Sequence, residues 1–560
     1  MSEGLRLALC QMNPIVGDLE GNAARIRAGI EAAKDAGAQL VLLPELALTG
    51  YPPEDLLLRE HFLTDTDAQL RELAGSAKGI VAIVGFPERI GGAVRGPAPG
   101  SPGPVAAVVH NSAAVLSEGS VQSVYRKVHL PNYGVFDEQR YFKSGEQNGT
   151  LIDVGGCKVG VTVCEDLWVA GAPASFEAAA GASLIVNISA SPYHAGKGLE
   201  RERLFGQRAR ETGAHVAFCA MVGGQDELVF DGHSFVLDPT GKTIARAAQF
   251  EEDLLVCDVE PAHPAAPRPP ISTVEEEVYE ALILGLCDYV RKNRFGGVVL
   301  GLSGGIDSAL VACLAVDALG AERVNVAIMP SRYSSAETQG DAHELARALG
   351  VRAHELPIEH TMEAYLRTLS ADFQGHKPDI TEENLQARIR GNLLMALSNK
   401  FGWLVLTTGN KSEMSVGYTT LYGDLAGGFA VIKDVPKTLV YRLTRWRNEP
   451  AGTSRGRVPA PIPASIVERA PSAELREDQI DQDSLPSYDV LDRILHGYVE
   501  LDRSREQLIA EGLPAKAVER ATQLVDLAEY KRRQAPPGIK ITERAFGRDR
   551  RMPITNAYRG

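Results

Sequence analysis

The stretch "SGGIDS" (303–308) is a glycine-rich loop between the apolar run "GGVVLGL" and a segment with helical spacing. Such strand–loop–helix units hold phosphates on backbone N–H groups at the helix start. The common phosphate loop has a lysine for the β- and γ-phosphates, whereas this loop has Asp307. A carboxylate repels bare phosphate, so Asp307 indicates a Mg²⁺ ion, with Glu413 in "TTGNKSE" as the second carboxylate. A tight turn in which Asp307 only complements the helix dipole is the structural alternative.

Three residues in the first half of the chain could catalyse amide hydrolysis: Glu45 in "LLPELALTGY", Lys127 in "YRKVHLPNYG" and Cys164 in "VGVTVCEDLW". A cysteine nucleophile needs a nearby cation that lowers its pKa and a base that takes its proton. Lys127 would supply the positive charge and hold the oxyanion, and Glu45 would shuttle the proton. Each residue also has an ordinary alternative, since cysteines at strand ends are often small buried hydrophobes.

Apolar runs and amphipathic segments alternate along both halves, which predicts two α/β domains in a chain of 560 residues. We predict a first domain at 1–260, a Pro-rich linker at 261–272 and a second domain at 273–560. The alternation in the second half is typical of a doubly wound parallel sheet, in which ligands bind beyond the carboxyl ends of the strands. The polar, Pro-rich stretch 447–486 is expected to be a functional lid or a disordered loop.

Composition and the absence of certain sequence patterns argue against several classes of protein. The formal charge of −14 disfavours a nucleic-acid partner, because phosphate binding needs basic surface. The N-terminus lacks a signal-peptide pattern, and no run reaches the length of a membrane span. The seven cysteines include no C-x-x-C pair, which argues against a disulfide framework or a zinc site. A cytoplasmic protein without a membrane partner is expected.

"SGGIDSA" resembles the loop of the N-type ATP pyrophosphatases, which bind the pyrophosphate end of ATP and transfer AMP to a substrate. "TTGNKSE", "GYTTLYGDLAGGFAVIKDVPKTLVY" and the tail "EYKRRQAPPGIKITERAFGRDRRMPITNAYR" resemble the NAD⁺ synthetase family within that superfamily. The resemblance implies that the nicotinate carboxylate of deamido-NAD⁺ attacks the α-phosphorus of ATP, and that ammonia then displaces AMP. It also implies ATP as co-substrate and Mg²⁺ as the metal, held by Asp307 and Glu413.

The resemblance places two sets of contacts on this half of the chain. ATP would contact Gly301, Leu302, Ser303, Gly304, Gly305, Ile306, Asp307, Ser308 and Thr408. Deamido-NAD⁺ would contact Asn384, Glu413, Asp424, Lys433 and Lys531. Two lysines lie in "VIKDVPK", and the sequence leaves open whether Lys433 or Lys437 faces the substrate.

"PEL…TGYPPEDLL", "RKVHLPNYGVFDE…YF" and "CEDLW" resemble the carbon–nitrogen hydrolase (nitrilase) superfamily. This resemblance implies an α-β-β-α sandwich and a Glu-Lys-Cys triad made of Glu45, Lys127 and Cys164. The glutamine contacts implied by position are Tyr133, Ser191, Lys197 and Glu165, with Trp168 beside them.

Together the two halves resemble bacterial glutamine-dependent NAD⁺ synthetases, a family of ligases, and the resemblance implies a homo-oligomer. A tRNA-modifying adenylating enzyme is a rival, which the acidic composition disfavours without excluding. A regulatory ATP-binding module fused to an amidase is another. The stretch 447–486 is the candidate moving part between the two activities, with Arg532, Arg533 or Arg544 of the basic tail as the charge that senses bound phosphates.

Overall fold

The computed structural model describes residues 4–91, 108–259, 268–271, 273–454, 456–477, 479, 481–483 and 485–558. The chain divides into one unit of Met1–Gln225 with Val229–Ser272 and a second of Asp226–Leu228 with Thr273–Gly560. Most of the predicted linker, 261–267 and 272, lies outside the described residues.

The described residues of the first part of the chain form fourteen strands: β1 (Leu5–Gln11), β2 (Leu40–Leu42), β3 (Val81–Ile90), β4 (Val108–Ser117), β5 (Ser120–Arg126), β6 (Leu151–Val154), β7 (Cys157–Val163), β8 (Leu184–Ser189), β9 (His215–Ala220), β10 (Val222–Gln225), β11 (Leu228–Asp231), β12 (Phe235–Leu237), β13 (Thr243–Arg246) and β14 (Asp253–Val259). The helices are α1 (Leu19–Asp35), α2 (Glu60–Ala74), α3 (Glu138–Tyr141), α4 (Glu165–Trp168), α5 (Ala174–Ala179) and α6 (Lys197–Thr212), with a 3₁₀ turn at Glu54–Leu58.

Two six-stranded sheets, in the orders β14-β1-β2-β3-β4-β5 and β13-β12-β9-β8-β7-β6, form the centre of this unit. β1 runs parallel to β2, with Leu7 opposite Leu40, and antiparallel to β14. Apolar side chains of both sheets, such as Leu9 and Val163, share one buried cluster. Outside the sheets, Ile30 of α1 and Phe205 of α6 pack in separate clusters. The predicted α-β-β-α sandwich is confirmed.

Where the structure describes the chain after Thr273, five strands occur: β15 (Gly297–Gly301), β16 (Val324–Ile328), β17 (Arg352–Glu355), β18 (Trp403–Thr407) and β19 (Phe429–Ala430). Its helices are α7 (Val274–Lys292), α8 (Ile306–Leu319), α9 (Ala336–Leu349), α10 (Glu359–Leu369), α11 (Ile380–Phe401), α12 (Lys411–Val416), α13 (Lys437–Asn448), α14 (Ala464–Glu468), α15 (Tyr488–Leu495), α16 (Arg505–Ala510), α17 (Ala515–Leu527) and α18 (Glu529–Arg532). Short 3₁₀ turns lie at Ala321–Arg323 and Asp481–Asp483, and a π-helical turn at His496–Glu500.

All neighbouring strands of this sheet are parallel, in the order β17-β16-β15-β18-β19. Helix α8 packs on β15 and β16, and α11 packs on β15 and β18. Val299 of β15 lies in one cluster with Leu394 of α11. The predicted doubly wound parallel sheet is therefore confirmed, and "SGGIDS" lies between the carboxyl end of β15 and the start of α8.

Candidate active sites

Glu45, Lys127 and Cys164 each follow a strand of the sandwich. Glu45 comes three residues after β2, Lys127 directly follows β5, and Cys164 directly follows β7. β2 and β5 belong to one sheet and β7 to the other, so residues far apart in sequence meet where these strands end.

The Glu45 carboxylate is held on both oxygens. Its Oε1 accepts from Lys127 Nζ at 2.7 Å and from Asn111 Nδ2 at 2.7 Å. Its Oε2 accepts from the backbone N–H of Ala190 at 2.8 Å, next to the buried Ser191. The side chains of Glu45 and Lys127 are both fully buried. Burial of such a pair costs desolvation energy, which the hydrogen bonds from Asn111 and from the Ala190 N–H partly offset.

Cys164 has strained backbone geometry, with φ +44° and ψ −102°. Positive φ is uncommon for a residue with a Cβ atom. Its N–H donates to the Ile188 carbonyl at 2.9 Å, and its carbonyl accepts from Asn187 Nδ2 at 3.2 Å, so the neighbouring strand fixes this conformation. Strain of this kind is typical of functional positions.

Burial raises the pKa of the Cys164 thiol well above its ordinary value. The charge of Glu45 raises the pKa further, and the charge of Lys127 opposes the rise without cancelling it. Lys127 does lower the pKa of Cys164, as expected of a neighbouring cation, but desolvation outweighs it and the net shift of the pKa is upward. The thiol keeps its proton until a base removes it.

A second glutamate, which sequence reasoning missed, contacts the same lysine. Glu138 Oε1 accepts from Lys127 Nζ at 2.9 Å and from the Tyr51 hydroxyl at 2.9 Å. Burial raises the pKa of Glu138 to about 7, although Lys127 opposes the rise. Burial and the two glutamates act in opposite directions on Lys127, and its pKa is raised well above the ordinary value. Glu138 is the last letter of the quoted "RKVHLPNYGVFDE", but nothing in that motif distinguishes it from the neighbouring acidic residue.

Asp166 connects the segments that carry the lysine and the cysteine. Its Oδ1 accepts from the backbone N–H of Val128 at 3.1 Å, and its Oδ2 accepts from the backbone N–H of Val163 at 3.1 Å. These residues directly follow Lys127 and directly precede Cys164. One fully buried carboxylate thus fixes the backbone on both sides of the site.

The residues expected to bind glutamine form two contacting pairs. The Tyr133 hydroxyl donates to Glu165 Oε1 at 3.0 Å, and Lys197 Nζ lies 5.5 Å from the centre of the Trp168 ring. Glu165 and Trp168 are the two ends of α4, which starts directly after Cys164. Tyr133 is 59% exposed, so its ring is available to a ligand.

In the second unit, the "SGGIDS" loop is a turn closed by its own serines. Gly305 N–H donates to Ser303 Oγ at 3.2 Å, and Ser308 Oγ donates to the Gly305 carbonyl at 2.9 Å. Gly304 has φ +81°, and a Cβ atom there would lie 2.1 Å from the Thr338 carbonyl oxygen. Only glycine fits this position.

A cavity of about 250 Å³ opens at the carboxyl ends of β15, β16 and β18. Asp424 lines this cavity. So do four of the predicted ATP contacts, namely Gly301, Leu302, Ser303 and Thr408. The predicted ATP contacts 304–308 are not among its lining residues within the described chain. Arg390, which the sequence did not single out, lines it too, and burial lowers the pKa of this guanidinium to about 10.

Asp307 and Glu413 lie on two sides of one ammonium group. Lys437 Nζ hydrogen-bonds to Asp307 Oδ2 and lies 3.3 Å from Glu413 Oε1. Asn410 orients both carboxylate residues, because its Nδ2 donates to Asp307 Oδ1 at 2.9 Å and its Oδ1 accepts from Glu413 N–H at 3.0 Å. Burial raises the pKa of Glu413 to about 8, with Lys437 opposing the rise and Asp307 adding to it.

Three of the residues expected to bind deamido-NAD⁺ surround one stretch after α12. Thr420 donates its hydroxyl to Asn384 Oδ1 at 2.9 Å and its N–H to Asp424 Oδ1. Lys531 Nζ donates to the carbonyls of Gly417 and Thr419, each at 2.7 Å. Burial raises the pKa of Asp424 to about 6.

Lys433 does not join these residues. Its Nζ donates to the Pro536 carbonyl at 2.7 Å, and the side chain is buried. Of the two lysines that the sequence left open, Lys437 is the one beside Asp307.

The Pro-rich stretch 447–486 includes α14 and contributes to the cavity wall. Arg469 Nη1 donates to the Gly304 carbonyl at 3.1 Å. The Thr338 hydroxyl donates to Glu474 Oε2 at 3.0 Å, and 473–475 line the cavity. Within this stretch, Arg469 thus contacts the "SGGIDS" loop directly, and Glu474 contacts the neighbouring α9.

Arg532 of the basic tail is occupied by neighbouring groups. It is buried, donates to the carbonyls of Ser415 and Val525, each at 2.6 Å, and pairs with Glu529 at 2.8 Å. Arg533 pairs with the same glutamate, and Arg544 pairs with Asp502.

Two family models match the chain. A carbon–nitrogen hydrolase model matches residues 6–265, and an NAD synthase model matches residues 278–535. A glutamine-dependent NAD(+) synthetase from Thermotoga maritima is 46% identical, covering 99% of both chains. One from Xylella fastidiosa is 48% identical over 100% of both chains. The chain belongs to the glutamine-dependent NAD⁺ synthetase family.

Solved structures agree with this assignment. The glutamine-dependent NAD⁺ synthetase from Acinetobacter baumannii, in complex with ADP, has a TM-score of 0.77 at 40% identity and covers 99% of both chains. That from Cytophaga hutchinsonii has a TM-score of 0.83 at 25% identity and covers 99% of this chain and 98% of its own.

The predicted activity of a glutamine-dependent NAD⁺ synthetase is confirmed. The enzyme is a ligase that amidates deamido-NAD⁺ to NAD⁺, with ATP as co-substrate and glutamine as nitrogen donor. The reaction passes through an adenylated intermediate and releases AMP, pyrophosphate and glutamate. Among the helices that the structure describes, none has the length and apolar character needed to cross a bilayer.

Proposed function

We propose that Cys164, Glu45 and Lys127 hydrolyse glutamine and that the region around 301–308 adenylylates deamido-NAD⁺. The observation that carries the first assignment is the fully buried Lys127–Glu45 pair with a separation of 2.7 Å. Burying a charged pair in a site without water, next to a strained cysteine, costs folding free energy, so a purely structural role does not account for it well. It is suited to catalysis, because fixed charges act strongly where water is excluded.

In the glutaminase reaction, Cys164 Sγ attacks the side-chain amide carbon of glutamine while Glu45 takes the thiol proton. The Lys127 ammonium stabilises the negative charge that develops on the amide oxygen. Glu45 then gives its proton to the amide nitrogen and the C–N bond breaks. Ammonia is released, and the acyl group stays on Cys164 as a thioester. Water attacks the thioester with Glu45 as base, the proton returns to sulfur, and glutamate is released.

In the synthetase reaction, the cavity beside β15 would hold the nucleotide. Gly301, Leu302, Ser303 and Thr408 line it, and the N–H groups at the start of α8 suit a phosphate. The residues 304–308 continue this loop and would face the pyrophosphate. The nicotinate carboxylate displaces pyrophosphate from the α-phosphorus, and ammonia then displaces AMP from the adenylate.

Asp307 and Glu413 would hold Mg²⁺. Their fit rests on the ammonium that lies between them, which shows that the pair already accommodates a cation. No cluster of three or more metal-ligating side chains occurs in the described residues, but Mg²⁺ uses one or two carboxylates together with substrate phosphates. When bound, Mg²⁺ neutralises charge on the leaving pyrophosphate.

We assign the remaining substrate contacts in the same way. Tyr133, Ser191, Lys197 and Glu165 would bind glutamine, and Asn384, Glu413, Asp424 and Lys531 would bind deamido-NAD⁺. Lys433 is the weakest of that set, because its ammonium donates to the Pro536 carbonyl. The domain limits of 1–260 and 273–560, the cytoplasmic location and the homo-oligomer stay predictions.

The test of the two-site assignment is Cys164→Ala, assayed for NAD⁺ formation with either glutamine or ammonium chloride. We expect loss of glutamine-dependent synthesis and retention of ammonium-dependent synthesis, because only one of the two reactions uses the thiol. Cys219→Ala, at a second buried cysteine of the same unit, is the matched control. Loss of both activities in a folded Cys164 variant, or of neither, would contradict the assignment.

A further inference from the structure

Lys437 lies at the centre of a buried group of charges in the second unit. It is the first residue of α13, and its side chain is only 3% exposed. Its ammonium contacts Asp307 from α8 and Glu413 from α12, and it lies 5.4 Å from the centre of the Tyr488 ring. Three separate elements of the chain therefore position one cation between the two carboxylates.

These carboxylates are the ones to which the proposed function gives the Mg²⁺ ion. Asp307 Oδ1 already accepts from Asn410, and its Oδ2 accepts from Lys437. Glu413 Oε1 also faces Lys437. A divalent ion needs the lone pairs that now point at the ammonium, and two positive charges within a few ångströms of each other repel strongly when buried.

We propose that Lys437 and the divalent ion compete for the Asp307–Glu413 pair, so that the ion binds tightly only together with nucleotide phosphates. This inference rests on the proposed function of the two carboxylates. A lysine displaced from them needs another acceptor, because a buried ammonium without a partner is very costly. The phosphates of ATP supply that acceptor, and metal and nucleotide therefore strengthen each other's binding.

The geometry makes Lys437 a positioning residue that sets the order of binding. Nucleotide moves the ammonium from carboxylate to phosphate, which frees the two carboxylates for the ion. Lys540 differs, because it is a buried lysine of the same unit that pairs with Asp549 at 2.8 Å and belongs to neither proposed substrate site. It provides a matched control for the removal of a buried lysine from an ion pair.

The experiment measures Mn²⁺ binding to the full-length protein by electron paramagnetic resonance, first without nucleotide and then with ATP. The variants are Lys437→Gln and Lys437→Met, which remove the charge, Lys437→Arg, which keeps it, and Lys540→Gln as control. Circular dichroism and thermal unfolding show which variants fold. Two charge-removing variants are included so that the proposal can still be tested if one of them does not fold.

Without nucleotide, we expect Mn²⁺ to bind the charge-removing variants at least about tenfold more tightly than wild type, since a repelling charge is gone. Lys437→Arg and Lys540→Gln should bind Mn²⁺ like wild type. ATP should strengthen Mn²⁺ binding more in wild type than in Lys437→Gln. If both charge-removing variants bind Mn²⁺ with the wild-type affinity, and still bind it in the presence of ATP, the proposed competition is overturned while the metal site stands. Failure of Asp307→Asn to weaken Mn²⁺ binding in the presence of ATP overturns the proposed metal site itself.

Discussion

Replacement of Glu45 by glutamine removes the proposed base while it keeps the size of the side chain. The amide that replaces the carboxylate has one oxygen, which would remain with the donors Lys127 and Asn111, both 2.7 Å from Oε1 in the native site. The new amide NH₂ would then face the N–H of Ala190, which lies 2.8 Å from Oε2. Two donors would point at each other in a buried site.

The structure separates the effect on rate from the effect on stability. An unpaired buried donor costs about 1–3 kcal/mol of folding free energy. Loss of a general base lowers the rate about 10²–10⁴-fold, which corresponds to about 3–5 kcal/mol in the activation free energy. Because burial raises the pKa of Cys164, spontaneous loss of the thiol proton does not replace the base. We therefore expect kcat for glutamine hydrolysis to fall about 10³-fold or more.

The assay is glutamate release at saturating glutamine, with ammonium-dependent NAD⁺ synthesis measured on the same preparation. Synthesis from ammonium should stay near the wild-type rate, because the second unit is unchanged. Glu177→Gln, a fully buried glutamate of the same unit, is the matched control and should keep wild-type glutamate release. A Glu45→Gln variant that retains more than about a tenth of the wild-type kcat would refute the role of Glu45 as the base.

Asp307→Ala and Glu413→Ala should each abolish NAD⁺ synthesis with either nitrogen source, because neutralisation of charge by Mg²⁺ stabilises the transition state by several kcal/mol. A folded variant that exchanges labelled pyrophosphate into ATP at the wild-type rate would contradict this. Burial raises the pKa of Glu177 to about 8 from an ordinary value of 4.5, so the folded protein binds a proton that the unfolded chain releases. The stability of the first unit should therefore fall as pH rises from about 4.5 to about 8, and Glu177→Gln should remove this loss, about 3 kcal/mol at pH 7. Denaturant unfolding of variant and wild type across this pH range measures the loss, and equal pH profiles for the two proteins would refute it. Deamido-NAD⁺ with ATP should raise glutamine hydrolysis at Cys164 severalfold, and equal glutamate release with and without them would show that the two activities run independently.

Both folds could be predicted because their signals are local. Continuous apolar runs such as "SLIVNIS" predict buried strands, and the fully buried β8 is one of them. The three residues of the proposed triad could be found because each lies at the end of such a run, inside long family motifs. The region of the synthetase cavity followed from the rule that parallel sheets bind ligands at the carboxyl ends of their strands.

Other features depend on contacts that no local pattern encodes. Lys433 and Lys437 are four residues apart in similar surroundings, and only packing sends one to a backbone carbonyl and the other to Asp307. Glu138 has no distinctive spacing from Lys127, and its importance is visible only from its position on the ammonium. The net pKa of Cys164 depends on how completely the site is dehydrated, which residue identities alone do not reveal.

At Cys164, whose φ is +44°, the requirement for a stable fold and the requirement for a nucleophile favour different residues. Glycine would adopt this conformation freely, and the cysteine there costs the fold about 1–3 kcal/mol. The most stable form of this turn is therefore inactive, and mutations that only improve folding would drift away from the nucleophile. The hydrogen bonds from Cys164 to Ile188 and from Asn187 to Cys164 explain how the chain tolerates the less stable choice. Laboratory evolution for heat resistance alone would be expected to erode activity first at this position.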